Sequence, residues 1–486
     1  MNRDYLFKLK ARAIVIICVL FTGCRMGPDY KQPPVDAPTT FRFATTQTSE
    51  SLADLPWWAV FDDDTLQDLI RTALQNNYDV RIAVTRIEQA DAISAEAYSQ
   101  FLPSVGYGGA VSRGKNEFAG SIVPNGNPTG NSAVATLNAA WEIDLWGRVR
   151  RLNESAQAQL LATEDAKRGV MLTLVSNVAQ AYFELLELDL ELQIAMDTTA
   201  SFDQSLKLFT NRLEGGVGNK LATSRAQAAL ASTAAQIPEL RRQIAIKENQ
   251  INVLLGRNPG PIVRGRVLLM QPVPLEVPAG LPSSLLERRP DILASEQLLR
   301  SANAQVGVAA ANFFPQIGLT TFLGKASTDL QTFTNSSTNA WSIAANLAGP
   351  IYTGGELRAE YRQAKAAWEQ AKLEYAQTVL NAFFEVANAL ISREEFAESR
   401  VQLARAVAAY QEAVAVSMER FTAGKANYYE VLEAQQQLFP AQNALAQTEL
   451  NQRLVIIQLY DALGGGWQLT DEQFNGQSTT EPAAKQ

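Results

Sequence analysis

The chain carries one pattern twice. When the sequence is compared with itself at an offset of 208 residues, Arg212 falls on Arg420 and Gly216 falls on Gly424. The shared pattern is Arg-x3-Gly-x10-Gln, and its other matching members are Gln227 with Gln435 and Leu255-Gly256 with Leu463-Gly464. Solenoid repeats have periods of about 20–50 residues, so a period of this length indicates a tandem duplication whose halves sit side by side around an axis.

Each half combines a strand pair with a long helical hairpin. In both halves a proline opens a stretch of alternating apolar and polar residues, a loop of small and polar residues follows, and a second alternating stretch returns, within residues 103–146 and 315–352. Alternation with period two is typical of a strand with two unlike faces. After a glycine turn, helical runs of roughly 65 residues outward and 40 residues back form the predicted hairpins at 148–256 and 355–464. The fold class is therefore α+β, internally duplicated.

Helical spacing of apolar residues also predicts a helix before each strand pair. The first runs from Asp64 to about Ser99 and the second from Ser284 to Phe314,. Pro238 predicts a kink in the first returning helix, because proline removes a backbone donor and clashes with the preceding turn.

These elements give a predicted organisation of the whole chain. Its parts are a signal peptide (1–23), an extended leader (24–63), a first repeat (64–256), a connector (257–283), a second repeat (284–465) and a polar, partly disordered tail (466–486). The leader is rich in Pro, Asp, Thr and Gln, so no core element is expected there.

Composition excludes several classes of function. The chain has no histidine, which removes Ser-His-Asp catalysis, histidine-bound zinc and the usual neutral-pH general base,. Its two cysteines, Cys18 and Cys24, form neither a disulfide framework nor a CxxC metal site,. The net charge of −8 gives no basic footprint for nucleic acid,. We expect no enzyme activity and no cofactor or metal.

The N-terminus has the order of an export signal. Four basic residues precede the apolar run from Ala13 to Phe21, which is too short to span a bilayer comfortably,. The following Leu20-Phe21-Thr22-Gly23-Cys24 resembles a loose bacterial lipobox, in which Cys24 is lipidated and becomes the first mature residue. The alternative is an ordinary signal peptide with an incidental cysteine.

The four alternating strands raise a closure problem. Each is long enough to cross a membrane as a tilted strand of ~9–11 residues. A bilayer tolerates strands only in closed barrels, because an open edge leaves backbone groups unsatisfied. Four strands cannot close alone, so closure would be intermolecular, with eight, twelve or sixteen strands from two, three or four chains. The alternative is a soluble α+β lipoprotein with two amphipathic hairpins.

Beyond these patterns, the chain resembles TolC-type outer-membrane efflux channels, and more closely their NodT-like lipoprotein subgroup. The resemblance runs from Cys24 to about Gly465. Its motifs are Gly27-Pro28-Asp29-Tyr30, Trp57-Trp58-x2-Phe61, Ala73-Leu74-x-Asn76-Asn77, Arg288-Arg289-Pro290-Asp291-Ile292, Phe313-Phe314-Pro315 and Arg420-x3-Gly424-x10-Gln435. It implies a homotrimer with a 12-stranded transmembrane β-barrel, long hairpins forming an α-barrel tunnel, and an equatorial belt. It also implies partnership with a periplasmic adaptor and an inner-membrane transporter, most commonly of the RND type.

The hairpin tips are the candidate periplasmic mouth. Arg212 with Gly216 and Arg420 with Gly424 mark the two tips, where glycine can adopt positive φ after a helix end. Just beyond the second tip lie Tyr429, Glu430 and Glu433, at positions where the resembled family carries its constricting acidic and bulky residues, with glutamate here in place of the more usual aspartate. The equivalents of the two glutamates in the first half are Ala222 and Arg225. We therefore predict that the second hairpin lines the gate; the alternative is that both glutamates are ordinary solvated helix residues.

Three further motifs admit a functional and a structural interpretation. Arg288, Arg289 and Asp291 could bind an anion, but a helix start with pairing arginines is the better interpretation. Asp62-Asp63-Asp64 could bind a divalent cation, but helix N-capping is better supported. Trp141 and Trp341 could anchor at a membrane interface or be buried between helices and barrel.

The function that these observations favour is a passive, lipid-anchored outer-membrane conduit of a tripartite efflux system, exporting drugs or other small molecules. The alternatives are a type I secretion exit duct for polypeptides and a non-conducting scaffold lipoprotein that spans the envelope. A carboxylate-dependent hydrolase is a third class, and no paired carboxylates in a recognisable pocket motif support it.

Overall fold

A computed structural model of the chain describes residues 25–44, 51–115, 129–273, 278–327, 332–466 and 468–474. Cys24 and the predicted signal peptide lie outside this part of the chain. Two compact units are present. The first contains the residues up to Pro34, Arg86–Glu164 and Ala294–Tyr375, and the second contains Val35–Thr85, Asp165–Leu293 and the residues from Ala376 onward.

The described elements alternate between helices and strands in the predicted order. The helices are α1 (Trp57–Val60), α2 (Asp64–Asn76), α3 (Tyr78–Ser99), α4 (Arg148–Glu214), α5 (Lys220–Ala234), α6 (Gln236–Leu254), α7 (Leu285–Arg288), α8 (Pro290–Ala311), α9 (Glu356–Thr422), α10 (Tyr428–Ala462) and α11 (Asp471–Phe474). The strands are β1 (Ser104–Lys115), β2 (Thr129–Ile143), β3 (Gln316–Ser327) and β4 (Asn339–Ala348). The two outward helices, α4 and α9, have 67 residues each.

Two predicted helices are interrupted where the sequence pattern indicates one continuous helix. The helix expected from Asp64 to Ser99 is broken at Asn77, whose backbone is extended and whose side chain accepts hydrogen bonds from the Asp79 and Val80 amides at 2.7 and 3.3 Å. The helix expected from Ser284 to Phe314 is divided at Arg289, because the residue before a proline is pushed out of the helical region,. Asn77 thus acts as an N-cap inside a continuous apolar pattern.

The returning helices respond differently to their prolines. The first breaks at Ala235, three residues before Pro238, between α5 and α6. The interruption lies on the N-terminal side of the proline, where the ring removes the hydrogen bond to the previous turn, and the Ala235 backbone stays in the right-handed helical region,. The kink itself stays a prediction. The second returning helix, α10, continues through Pro440.

The predicted leader is wrong in one respect, because it contributes to the core. Phe41, Leu52, Ala53, Trp57 and Phe61 are all at most 5% exposed. Trp57 is fully buried, and its indole donates a hydrogen bond to the Phe474 carbonyl at 3.0 Å. Large apolar side chains are stable inside a fold even when the surrounding composition is typical of a loop.

The start of the leader is bound within the first unit. Arg151 of α4 is fully buried and donates to the carbonyls of Met26 and Gly27 at 3.0 and 3.2 Å and to Asp29 at 2.9 Å. Gly27 has φ +83°, and a Cβ there would lie 2.5 Å from the Gly307 Cα. The Gly-Pro-Asp-Tyr motif therefore forms a close backbone contact that only glycine permits.

The four strands form one antiparallel sheet in the order β1-β2-β3-β4. The register pairs Tyr107 with Leu137, Leu137 with Leu323, and Leu323 with Trp341, so one row of large side chains crosses the sheet. Among the described strands, β1 and β4 each pair on one side only. The sheet is therefore open at both edges.

Candidate functional site

Both hairpin tips are closed by the same backbone motif. At the first, the Gly216 amide donates to the Leu213 carbonyl and the Val217 amide to the Arg212 carbonyl, both at 3.0 Å. The second tip has the two equivalent hydrogen bonds. The Gly424 amide donates to the Phe421 carbonyl at 3.0 Å, and the Lys425 amide donates to the Arg420 carbonyl at 2.8 Å. This is a Schellman motif, with glycine in the left-handed conformation at φ 78° and 73°,. The repeated Arg-x3-Gly pattern is a helix ending.

An asparagine starts the returning helix at each tip, and sequence reasoning missed it. Asn219 accepts a hydrogen bond from the Leu221 amide at 2.8 Å, and Asn427 accepts one from the Glu430 amide at 3.3 Å. Side chains of this type satisfy otherwise unpaired amides of the first turn. The two asparagines are also 208 residues apart, so the offset that revealed the duplication could have identified both caps.

An aromatic cluster joins the two hairpins at the tips. Phe209 of the first hairpin meets the rings of Phe421 and Tyr428 of the second edge-on, with centroids 5.4 and 4.2 Å away. Ala226 and Val431 complete the buried centre. Edge-to-face contacts add to the free energy of burying the rings. The four helices at the tips are therefore held by apolar packing near the predicted mouth.

The predicted gate residues lie together on the first turns of α10 and are exposed. Tyr429 is 54% exposed, and Glu430 and Glu433 are both solvent-accessible. Arg420 lies 3.5 Å from the Glu430 carboxylate, with both side chains about half exposed. Such an exposed pair contributes roughly 0–1 kcal/mol. Glu433 forms no ion pair with any of the described residues, so the first turns of α10 present a carboxylate-rich surface.

The first hairpin presents different chemistry at the equivalent positions. Leu221, 55% exposed, takes the place of Tyr429, while Ala222 and Arg225 take the places of the two glutamates. Tyr428, beside the gate residues, has a buried hydroxyl without a hydrogen-bond partner in the described part of the chain. Burial raises the pKa of Tyr428, and the positive charge of Arg225 opposes this shift. The two tips share a backbone and differ in charge.

The sheet forms a second candidate surface, because one of its faces is apolar and exposed. One face carries large apolar side chains that are between 41% and 90% exposed: Val105, Tyr107, Val111, Leu137, Trp141, Leu323, Trp341, Ile343 and Leu347. The opposite face is made mainly of small and polar residues such as Thr136, Asn138, Thr320, Ser342 and Asn346. An exposed apolar face of this size needs an apolar environment, which a bilayer supplies.

The two tryptophans lie on this apolar face. Trp141 is 41% and Trp341 is 72% exposed, so neither is buried within the chain. The Trp141 indole donates to the Phe101 carbonyl at 2.9 Å. Partly exposed indoles with a polar partner suit a membrane interface, which is the first of the two predicted alternatives.

The arginine motif at the start of α8 has the predicted structural role. Arg289, 8% exposed, donates to both Asp291 oxygens, to Glu385 at 2.6 Å and to the Ala462 carbonyl at 3.0 Å. Burial alone would lower the pKa of Arg289, but hydrogen bonds to Asp291 and Glu385 outweigh it and the pKa is raised. Its donors are occupied by protein groups, as a structural ion pair requires.

The aspartate run is also structural. Asp63, 3% exposed, caps α2 by accepting from the Leu66 amide at 3.1 Å. It also accepts hydrogen bonds from the Tyr182 hydroxyl at 3.3 Å and the Gln271 side chain at 2.5 Å. Within the described residues, no group of three or more His, Cys, Asp or Glu side chains could hold a metal ion.

A family comparison decides what kind of protein has this architecture. The model of the family described as outer membrane efflux protein matches residues 69–257 and 281–465, one segment in each half. The chain belongs to the outer membrane efflux protein family. Its members are non-enzymatic transport proteins, which confirms the prediction that the chain is not an enzyme.

Individual members of the outer membrane efflux protein family match nearly the whole chain. The cation efflux system protein CusC of Escherichia coli O6:H1 is 32% identical over 93% of this chain and 98% of CusC. The probable efflux pump outer membrane protein TtgC of Pseudomonas putida is 33% identical over 96% of this chain and 98% of TtgC. The solved structure of the outer-membrane channel OprN superposes with a TM-score of 0.86 at 32% identity, covering 92% of this chain and 100% of OprN.

These similarities confirm the predicted family and the duplicated fold of long helices and four antiparallel strands. They also confirm the predicted function: the protein is an outer-membrane channel of the kind that serves tripartite efflux pumps. Among the described helices, α4 contains an apolar stretch long enough to cross a membrane, but 67% of that stretch is buried within the protein. The exposed sheet is thus the better candidate for the membrane-facing part.

Proposed function

We propose that this outer-membrane efflux channel works as a lipid-anchored homotrimer whose second hairpin lines a cation-attracting periplasmic mouth. In this proposal it receives small molecules from a periplasmic adaptor and an inner-membrane transporter of the RND type. The observation that carries the proposal is the combination of an open four-stranded sheet with a carboxylate-bearing hairpin tip. The related proteins are named for the efflux of cations, antibiotics and solvents, which supports small solutes as the cargo.

The open sheet supports a trimer. The strands have 12, 15, 12 and 10 residues, enough for tilted membrane strands,. The unpaired edges of β1 and β4 need partners in a bilayer, because every unsatisfied backbone group there costs several kcal/mol. Three copies supply twelve strands, and a barrel of that size leaves an aqueous lumen that eight strands would fill with side chains.

Cys24 is the proposed point of attachment to the membrane. Arg25 is the first described residue after it, and Arg25 forms an ion pair with Glu154 of α4. Several acyl chains, each contributing ~0.8 kcal/mol per buried CH2, would tether the chain firmly. Labelled palmitate should enter the wild-type protein and not Cys24→Ser; equal incorporation in both would contradict the anchor.

The proposed gate rests on the threefold symmetry of a trimer and on the negative charges of the second hairpin tip. In a trimer, Tyr429, Glu430 and Glu433 would each occur three times around the axis. If three carboxylates approached to ~8 Å at an effective dielectric of ~20, each pair would repel by about 2 kcal/mol. Such a ring attracts cations, and the bulk of Tyr429 narrows the aperture.

Single-channel conductance in planar bilayers tests the mouth. We expect the double variant Glu430→Gln/Glu433→Gln to conduct with a cation-to-anion preference on the order of fivefold lower, because a nearby carboxylate is worth about 1 kcal/mol to a cation in water. The matched control is Arg225→Gln in the first hairpin, which should not lower the cation preference. An unchanged preference in the double variant would place the two glutamates outside the mouth, and a wild-type protein that does not conduct would overturn the conduit itself.

A further inference from the structure

The second unit contains a cavity that has no part in the aperture or the sheet. Its volume is about 590 Å³, and its walls come from the middle of α9, the end of α10 and the segments near Phe43 and Leu269. Cavities of ~300–1,000 Å³ are the size that small-molecule ligands occupy. The gate residues do not line this cavity.

Two arginines in the cavity wall, Arg400 and Arg453, share one buried carboxylate, that of Glu449. The Glu449 carboxylate, 5% exposed, accepts from Arg400 Nε at 2.5 Å and from Arg453 Nη1 at 2.9 Å. One buried carboxylate therefore serves two guanidinium groups.

Arg453 is the cation that this arrangement leaves incompletely satisfied. It is 4% exposed, and its Nη2 donates to the Gln271 carbonyl at 2.9 Å. Its Nε is buried and has no acceptor in the described part of the chain. Burial lowers the pKa of Arg453, and the neighbouring charge of Arg400 acts in the same direction while Glu449 opposes both. A buried guanidinium in this state is stabilised by an additional anion.

The rest of the wall determines what kind of anion fits. Leu269, Leu390, Val455 and Ile456 form apolar surface in the same cavity. A fully hydrated inorganic anion would leave this surface in contact with water, whereas an apolar body would cover it. The charged and apolar parts together suit a molecule with one acid group on a hydrocarbon or aromatic body.

We propose that this cavity is a binding site for an amphiphilic organic carboxylate, whose acid group pairs with Arg453 and Arg400 and whose apolar part packs against Leu390 and Ile456. None of the proposed aperture residues, Tyr429, Glu430 and Glu433, lines this site. Arg400 is bound to Glu449 through its Nε, so its two terminal nitrogens offer a carboxylate parallel donors, and the buried charge of Arg453 adds to the preference of the site for an acid group,.

Calorimetric titration of the full-length protein in nanodiscs of zwitterionic lipid tests the site with 2-naphthoate as the probe. We expect saturable binding with one molecule per chain, and no saturable binding of 2-naphthylmethylamine, which has a similar ring and the opposite charge. Absence of saturable naphthoate binding, including through coverage of the cavity by a neighbouring subunit, would overturn the proposal. Equal binding of both compounds would also overturn it, because the arginines would then play no part.

Two variants and one control variant locate the binding. Ala397→Trp fills the cavity from α9 without changing its charges and should abolish binding; Ser399→Trp, exposed on the same helix and absent from the cavity wall, should leave it unchanged. The paired change Arg453→Gln/Glu449→Gln removes the buried ion pair as a unit and should weaken naphthoate at least tenfold. Unchanged affinity in both Ala397→Trp and the paired variant would show that naphthoate binds elsewhere. Conductance measured on the same samples separates this result from any failure of the proposed channel function.

Discussion

The two hairpins of this channel are equivalent in backbone and unlike in environment. Gly216 and Gly424 have nearly the same positive φ, and Asn219 and Asn427 cap the helices that follow. Other residues 208 apart differ: Phe209 is 3% exposed at the centre of the aromatic cluster, whereas its equivalent is Ser417. The duplication has kept the residues that satisfy the backbone of one hairpin. It has changed residues that pack against the other hairpin, such as Phe209.

The largest expected difference in unfolding free energy between equivalent positions of the two hairpins is at the aromatic cluster. Phe209→Ala should lower the free energy of unfolding by about 3–5 kcal/mol per chain, because it removes a buried ring and leaves a cavity between both hairpins. Ser417→Ala should cost no more than about 1 kcal/mol, since it removes one hydroxyl hydrogen bond to the Val414 carbonyl,. Guanidinium unfolding in nanodiscs, followed by far-UV circular dichroism, measures both. Equal losses would show that the cluster does not join the hairpins.

Glu187 and its equivalent Glu395 are expected to differ in how their contribution to stability depends on pH. Glu187 is 5% exposed, and burial, followed by repulsion from Glu191 and Glu184, raises its pKa from 4.5 to about 8. The folded state therefore holds a proton that the unfolded state releases, so the stability contributed by Glu187 is present below about pH 4.5 and is lost as the pH rises toward 8,. Glu187→Gln should stabilise the protein at pH 9 by on the order of 2 kcal/mol and have little effect at pH 4.5.

Glu395→Gln is the matched control, because Glu395 is exposed on α9. Its effect should stay within about 0.5 kcal/mol at both pH values. Unfolding midpoints of the two variants, measured at pH 4.5 and pH 9, make the comparison. A Glu187→Gln variant with the same effect at both pH values would mean that Glu187 is already ionised in the folded protein.

The smallest expected difference in stability is between the two glutamines of the repeated motif, Gln435 and Gln227. Gln435 is 5% exposed and exchanges hydrogen bonds with Ser205 and Ser201 of α4, whereas Gln227 is exposed. Gln435→Leu should cost about 1–3 kcal/mol, because it leaves the buried Ser205 hydroxyl without this partner,. Gln227→Leu should change stability by no more than about 0.5 kcal/mol. Similar costs in the same unfolding assay would show that the motif glutamine acts within its own hairpin.

Much of the fold was accessible from the sequence because local rules govern it. The alternation of side chains identified all four strands, and glycines after the long helices identified the tips. Breaks at Asn77 and Ala235 were missed or misplaced, because apolar periodicity continues across both positions while capping and proline chemistry interrupt the backbone,. The buried role of Trp57 was missed because its surroundings in the chain have the composition of a loop.

The position and the residues of the candidate site could be predicted, but its contacts between distant segments could not. Its position at the tips and its residues, Tyr429, Glu430 and Glu433, came from the family resemblance, and their exposure on the first turns of α10 agrees with a role at a mouth. The partner of Glu430 could not be predicted, because Arg420 reaches it across the turn between two helices. The aromatic cluster was missed because it joins residues from both halves.

The sequence by itself determined where the backbone turns and which face of each strand is apolar, since both depend on residues close together in the chain. Tertiary structure alone decided that Gln435 is buried whereas its equivalent Gln227 is exposed. Gln435 is hydrogen-bonded to serines 230 and 234 residues away, and the Arg453 Nε has no acceptor among the described residues although Nη1 and Nη2 are both bound. Burial and charge balance depend on neighbours distant in sequence, and a pattern read along the chain contains no information about their distance in space.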